Sequence, residues 1–196
     1  AAGAEGGMNV RTLRFGLVIA LLATAALCAG QATWLQAKAT LAQWLIASAW
    51  QQTLIDGSPQ RPWPWADTWP VARLTTPAGD MHYVLDSVSG EALAFGPGHL
   101  PASAAPGQPG TTLIAGHQDS HFAFLAGLQG GDEIRLQSMD GHEFAYRVAD
   151  IRVVDSRQQP LSLQFEQAEL RMVTCYPFNS LQSGGPLRYV VSAWQM

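Results

Sequence analysis

The sequence predicts a mainly β domain, an antiparallel barrel or sandwich, behind a long N-terminal apolar helix. Three observations lead there. Charge is unevenly placed: residues 1–55 hold only Glu5, Arg11, Arg14 and Lys38, while the remainder carries 8 basic and 14 acidic residues. From residue 56 onward, short segments alternate apolar and polar and are bounded by Gly, Pro, Asp and Ser, the pattern of half-buried strands. Turn signals join several of them directly, without the helical crossovers that βαβ units need.

The composition narrows the function. A chain of 196 residues suits one domain with a small appendage. A net charge of −4 argues against a nucleic-acid binder, which would carry a basic patch. Two cysteines are too few for a disulfide scaffold or a four-cysteine zinc site. With 47% hydrophobic and 13% charged residues, the chain is not a disordered one.

Residues 1–7 (AAGAEGG) precede Met8 and read as a cloning remnant. Phe15 to Ala37 is a run of 23 uncharged residues. As a helix it measures about 35 Å, enough for a hydrocarbon core of ~30 Å. A buried core helix or a cleaved signal peptide would also present an apolar run. The run is long for a core helix; against cleavage, helical composition continues past Gly30 through LQAKATLAQWLIASAWQQ, and against a lipoprotein site, Leu27 is too bulky to precede a lipidated Cys28. An uncleaved signal anchor is the favoured reading. Arg11 and Arg14 flank its N-terminal end and only Lys38 lies near the other, so the N-terminus is expected in the cytoplasm. The division expected is a remnant at 1–7, a cytoplasmic stub, anchor and helical stalk at 8–55, and an exported domain at 56–196. Trp34, Leu41 and Leu45 form a stripe along the helix, with Trp44, Ile46 and Trp50 off it; either an interfacial belt or a packing face would fit.

DGSPQRPWPWADTWP, with four prolines and three tryptophans in 15 residues, is too irregular for a helix and is expected against the domain or at its membrane-proximal surface. Seven strands are then read at 71–76, 82–86, 111–116, 132–138, 143–155, 169–175 and 187–194. Phe144, Tyr146 and Val148 share one face, as do Ile134 and Leu136. Met139-Asp140-Gly141-His142 signals a hairpin, and segments 122–128 and 162–168 read as short helices or turns.

The chemistry gathers at strand ends. Cys175 closes the strand ELRMVTC and precedes the turn Tyr-Pro-Phe-Asn, so its thiol sits at a strand-to-loop edge. A small buried hydrophobe is its other possible role. A reactive cysteine needs a base, and His117 follows the apolar strand TTLIAG directly. Arg188 opens the last strand; beside Cys175 it could stabilise an oxyanion, and on an edge strand it would be a surface residue. His117 and His121 have i, i+4 spacing, but no HExxH and no third ligand accompany them. The papain-type C-G-x-C-W and L,D-transpeptidase Ser-x-Gly-Cys contexts are absent. A binding barrel with an inert Cys175 is the non-enzymatic alternative.

TLIAGHQDSHF, VTCYPF and PLRYVV together resemble the His, Cys and Arg signatures of sortases, the cysteine transpeptidases of bacterial surfaces. The resemblance covers roughly residues 60–196, with the motifs in family order. RPWPWADTWPVARL, FGPGHLP, GHQDSHF and TCYPF look most like the Gram-negative (proteobacterial) subgroup, class GN, close to class D. Gln118 departs from the Arg usual after Gly-His. The resemblance implies a closed eight-stranded β-barrel, a membrane anchor and a periplasmic catalytic domain at the inner membrane. It makes Cys175 the nucleophile, His117 the general acid/base, Arg188 the stabiliser, Thr174 a support of the oxyanion pocket and Asp119 an orienting group. The implied partners are an LPxTG-like sorting signal and an amine acceptor. No cofactor, no metal and no nucleic acid are expected. The Cys–His pair predicts a bell-shaped pH–rate profile.

Overall fold

The computed structural model describes residues 10–178 and 184–196. The remnant expected at 1–7, the first residues of the expected stub and Asn179 of the expected turn lie outside them. Eight strands form: β1 (Pro70–Thr75), β2 (Met81–Leu85), β3 (Gly98–His99), β4 (Gly110–Ala115), β5 (Glu133–Ser138), β6 (Glu143–Asp155), β7 (Ala168–Cys175) and β8 (Leu187–Gln195). They close into a barrel in the order β1-β2-β3-β4-β7-β8-β6-β5. The eighth strand is β3, only two residues long and too short to carry a periodic signal. Gly98 permits it: a Cβ there would lie 1.9 Å from the Ser87 carbonyl oxygen.

The antiparallel expectation needs a correction. β2 pairs with β3 and β4 with β7 in parallel, and the other six pairings are antiparallel. The long connection between β4 and β7 carries the β5–β6 hairpin, which serves as the crossover that parallel neighbours require. That hairpin turns at Met139–His142 as expected, with the Ser138 amide donating to the His142 carbonyl at 2.9 Å.

Alternation fills the barrel. Leu74, Ile114, Ile134, Leu136, Tyr146, Leu170, Met172 and Val191 point inward and are fully buried. The Tyr146 hydroxyl, the one polar tip in that set, accepts a hydrogen bond from the Gly107 amide at 3.0 Å. A second apolar cluster lies on the outer face, where Leu113, Val154, Val173 and Val190 are covered by Leu100, Leu161 and Leu163. Segment 122–128 holds a 3-10 turn over Ala123–Gly127, whereas 162–168 forms no helix and leads into β7. A one-turn helix α2 spans Gly90–Leu93, capped by the Ser89 side chain, which accepts from the Ala92 amide.

A single helix α1 runs Val10–Asp56 and ends where Gly57, in the left-handed region, donates to the Thr53 carbonyl at 2.9 Å. Contacts divide the chain into two units, residues 1–41 and 42–196. In the first, the helix is long and apolar enough to cross a membrane, with Leu17, Ile19, Leu22 and Leu27 exposed. In the second, Ala42, Ile46, Ala49, Trp50 and Thr53 are buried against the barrel, and Gln43 Nε2 donates to the Phe95 carbonyl at 2.6 Å. The packing face is therefore the one carrying Ile46 and Trp50. Burying a ring such as Trp50 removes ~150–250 Å² from water, roughly 4–6 kcal/mol gross. Trp63 packs edge-on against Phe95, Trp69 packs on the core, and Trp65 stays 83% exposed.

Candidate active site

The parallel β4–β7 pairing decides where the candidate residues His117 and Cys175 emerge. Parallel neighbours end at the same rim, so the residues leaving both strands emerge together. The register runs from Gly110↔Ala168 to Ala115↔Val173, and the Gly116 amide extends it by donating to the Val173 carbonyl at 3.1 Å. His117 follows Gly116 by one residue, and Cys175 follows Val173 by two, at the end of β7. The Thr174 hydroxyl, 2% exposed, donates to the Gly116 carbonyl at 2.7 Å. Its only proton is thereby engaged, so it braces the chain that carries His117.

β7 and β8 are antiparallel, with Cys175 directly opposite Arg188. Direct partners share a face, and their Cβ atoms lie about 4.5–5.5 Å apart. The face is the outer one: Met172 and Thr174 point inward, so Val173 and Cys175 point out. Both Cys175 and Arg188 are half-buried, while His117 and Asp119 are exposed. Arg188 Nη1 donates to the carbonyls of Gly185 at 2.6 Å and Leu187 at 2.9 Å, which fixes the guanidinium at the mouth of β8. The chain after Cys175 is held by rings: Tyr176 stacks on Tyr189 at 6.1 Å, and Phe178 meets Tyr189 edge-on at 5.0 Å.

One pair of residues near His117 was not anticipated from sequence. His82 on β2 stacks on Phe124 at 5.6 Å and meets His121 edge-on at 6.2 Å. Burial lowers the pKa of both below the usual histidine range. For His82 the charge of Asp80 opposes that shift; for His121 repulsion from His82 and His117 adds to it, against the Ala94 carbonyl and Asp119. The two rings therefore favour the neutral form beside His117. The second histidine of GHQDSH was visible in the sequence, but its partner on β2 was not. Among the described residues, no three His, Cys, Asp or Glu side chains cluster to hold a metal.

Gly116 is a point of close approach. A Cβ there would lie 2.8–3.1 Å from three atoms of the Phe122 ring, which is fully buried, and the Phe122 amide is itself bonded to the His117 carbonyl. Gly116→Ala will therefore displace the strand end rather than the ring. We expect a loss of about 1–3 kcal/mol in stability from overpacking. Turnover should fall further, because a shift of about 1 Å in a reacting group can cost ~10²-fold. Thermal melts and turnover measured together check both.

Residues 74–195 of this chain match the sortase domain. The chain belongs to the sortase family. Sortases are cysteine transpeptidases, and the cysteine edge described above lies inside the matched region. Sortase D of Bacillus subtilis (strain 168) is 33% identical over 109 residues, covering 55% of this chain and 54% of that protein. The chain thus spans about half the length of that curated relative. Among solved structures, a Clostridium perfringens Sortase D5 transpeptidase superposes with a TM-score of 0.59 at 22% identity, over 76% of this chain and 99% of that one. Sortase A from Corynebacterium diphtheriae gives 0.57 at 23% identity, over 67% and 63%. At these identities the two likenesses bear on the fold.

Proposed function

We propose that this sortase is a membrane-anchored transpeptidase that cleaves an LPxTG-like sorting signal and transfers the acyl group to an amine. The observation carrying this reading is the Cys175–Arg188 register pair with the β4 strand end, and so His117, tied alongside. In the first step the Cys175 thiolate attacks the backbone carbonyl of the signal, on the family pattern between Thr and Gly. Arg188 donates to the oxyanion that forms. His117 protonates the departing amine, the C–N bond breaks, and a thioester remains. In the second step an acceptor amine attacks the thioester and gives its proton to His117. The new amide leaves, the C–S bond breaks, and the Cys175 thiolate and the protonated His117 are restored. Thr174 supports the site by bracing the chain before His117, and Asp119 supplies negative charge beside His121. No cofactor enters either step.

The organisation proposed is a remnant at 1–7, a stub, signal anchor and stalk at 8–55, and a catalytic domain at 56–196. The apolar helix supports a single inner-membrane pass with a cytoplasmic N-terminus and a periplasmic domain. GHQDSHF and TCYPF support placement in the Gram-negative subgroup, and the likeness to Sortase D supports a position close to class D.

The test uses the full chain in detergent with LPxTG-type peptides and excess small amine, followed by mass spectrometry. A ligated product is the expected result. Absence of cleavage, thioester and ligation across a peptide panel, with Cys175 also resistant to alkylation, would sink the reading and leave a binding barrel.

A further inference from the structure

The connection between β6 and β7, residues 156–167, rests on the outer face that also bears the reactive pair. Leu161 and Leu163 sit on Leu113, Val154, Val173 and Val190. Val173 is two residues before Cys175 and Val190 two after Arg188, so this apolar strip runs straight to the reactive edge. Beyond the strip lies a buried ion pair that the transfer reaction does not use. Glu169 and Arg171 are 1% and 7% exposed. Arg171 Nη2 and Nε donate to Glu169 Oε1 at 2.8 and 3.0 Å, and Nη2 also reaches Oε2 at 2.9 Å. Thr111 Oγ1 donates to Glu169 Oε2 at 2.7 Å.

The pair is connected to the loop above it. Arg171 Nη1 donates to the Ser162 carbonyl at 2.6 Å, between Leu161 and Leu163. Thr111 brackets Gln164: its amide donates to the Gln164 carbonyl at 2.9 Å, and its hydroxyl accepts the Gln164 amide at 3.1 Å. Glu169 thus aims both the guanidinium and the hydroxyl at one short stretch of backbone. Burial alone would raise the carboxyl pKa, but bonds from Thr111, Arg171 and Ser192 outweigh it and hold the group below its ordinary range, hence ionised.

A buried ion pair is a poor way to stabilise a barrel, since well-packed apolar residues of similar volume serve as well or better. Its geometry points to a different use. We propose that Glu169 and Arg171 are positioning residues that clamp the 156–167 connection at a fixed height over the strip leading to Cys175, and so set how the substrate peptide is received there. The substrate half of this inference rests on the transpeptidase reading; the clamp itself does not.

The test compares the full chain with Glu169→Leu/Arg171→Met, which replaces the pair by apolar side chains, and with Arg171→Lys, whose ammonium cannot serve the carboxylate and Ser162 together. The double variant should melt at or above the wild-type temperature, while amides at 161–167 exchange at least about tenfold faster. KM for a cleaved peptide should rise roughly tenfold, with kcat and the alkylation rate of Cys175 changed little. Arg171→Lys should fall between. Unaltered exchange in a folded double variant would overturn the clamp. Faster exchange with unaltered KM, or a loss confined to kcat, would overturn its link to substrate. If the wild type cleaves no peptide, the functional reading fails on its own, and the exchange rates still decide the clamp.

Discussion

Cys175→Ala will abolish both cleavage and ligation while leaving the barrel folded. Cys175 is half-buried at the last position of β7, with no disulfide, and its partners across the register are made by backbone. Alanine keeps that backbone and removes only a sulfur, so the melting temperature should move little. Without the thiol no thioester can form, and the residual rate should be at least ~10³-fold down, since binding and oxyanion donors alone do not replace a nucleophile. Mass spectrometry of the chain mixed with a sorting peptide should show an acyl adduct on the wild type and none on the variant. His117→Ala provides the complement: an intact thiol that still alkylates, with turnover reduced by about 10²–10⁴. Alkylation must be mapped by site, because Cys28 on α1 is exposed. Ligation surviving in Cys175→Ala would move the nucleophile elsewhere.

Much of the barrel was legible because its strands alternate. Tyr146 and Val148 on one face of β6, and Ile134 and Leu136 on β5, are buried as their spacing required. Alternation says which face a side chain takes but not which strand lies beside it. The parallel β4–β7 pairing therefore stayed hidden, although it is what brings the two strand ends bearing His117 and Cys175 to one rim. Adjacent strands are easier: Cys175 and Arg188 flank a single connection, and their proximity could be guessed. On α1, hydropathy alone suggested the stripe of Trp34, Leu41 and Leu45. The buried face is instead Ile46 and Trp50, because the barrel surface chooses it. The Glu169–Arg171 pair had no sequence signature, since a charged i, i+2 pair on a strand ordinarily faces water. Only the covering connection, pinned through Ser162, turns it into a buried group.

The second large effect is expected at Arg188. Its Nη1 is spent on the Gly185 and Leu187 carbonyls, so the head group is fixed before substrate arrives. A planar guanidinium can hold those contacts and still present further N–H groups toward the thiol, which faces it across the β7–β8 register. On the proposed mechanism that is pre-organisation: the guanidinium needs no reorientation when the oxyanion develops. Arg188→Ala should therefore lower kcat by roughly 10²–10³, the usual loss for one such donor, with a smaller change in KM. Arg188→Lys discriminates further. An ammonium keeps the charge, but its compact head cannot hold two carbonyls and also reach the oxyanion, so activity should recover only in small part. Full rescue by lysine would mean that charge alone matters and that fixing the guanidinium contributes nothing. A rise in KM with kcat preserved would instead assign Arg188 to binding the sorting peptide in its ground state. Loss of kcat with Cys175 alkylation intact is the result that makes it the transition-state donor.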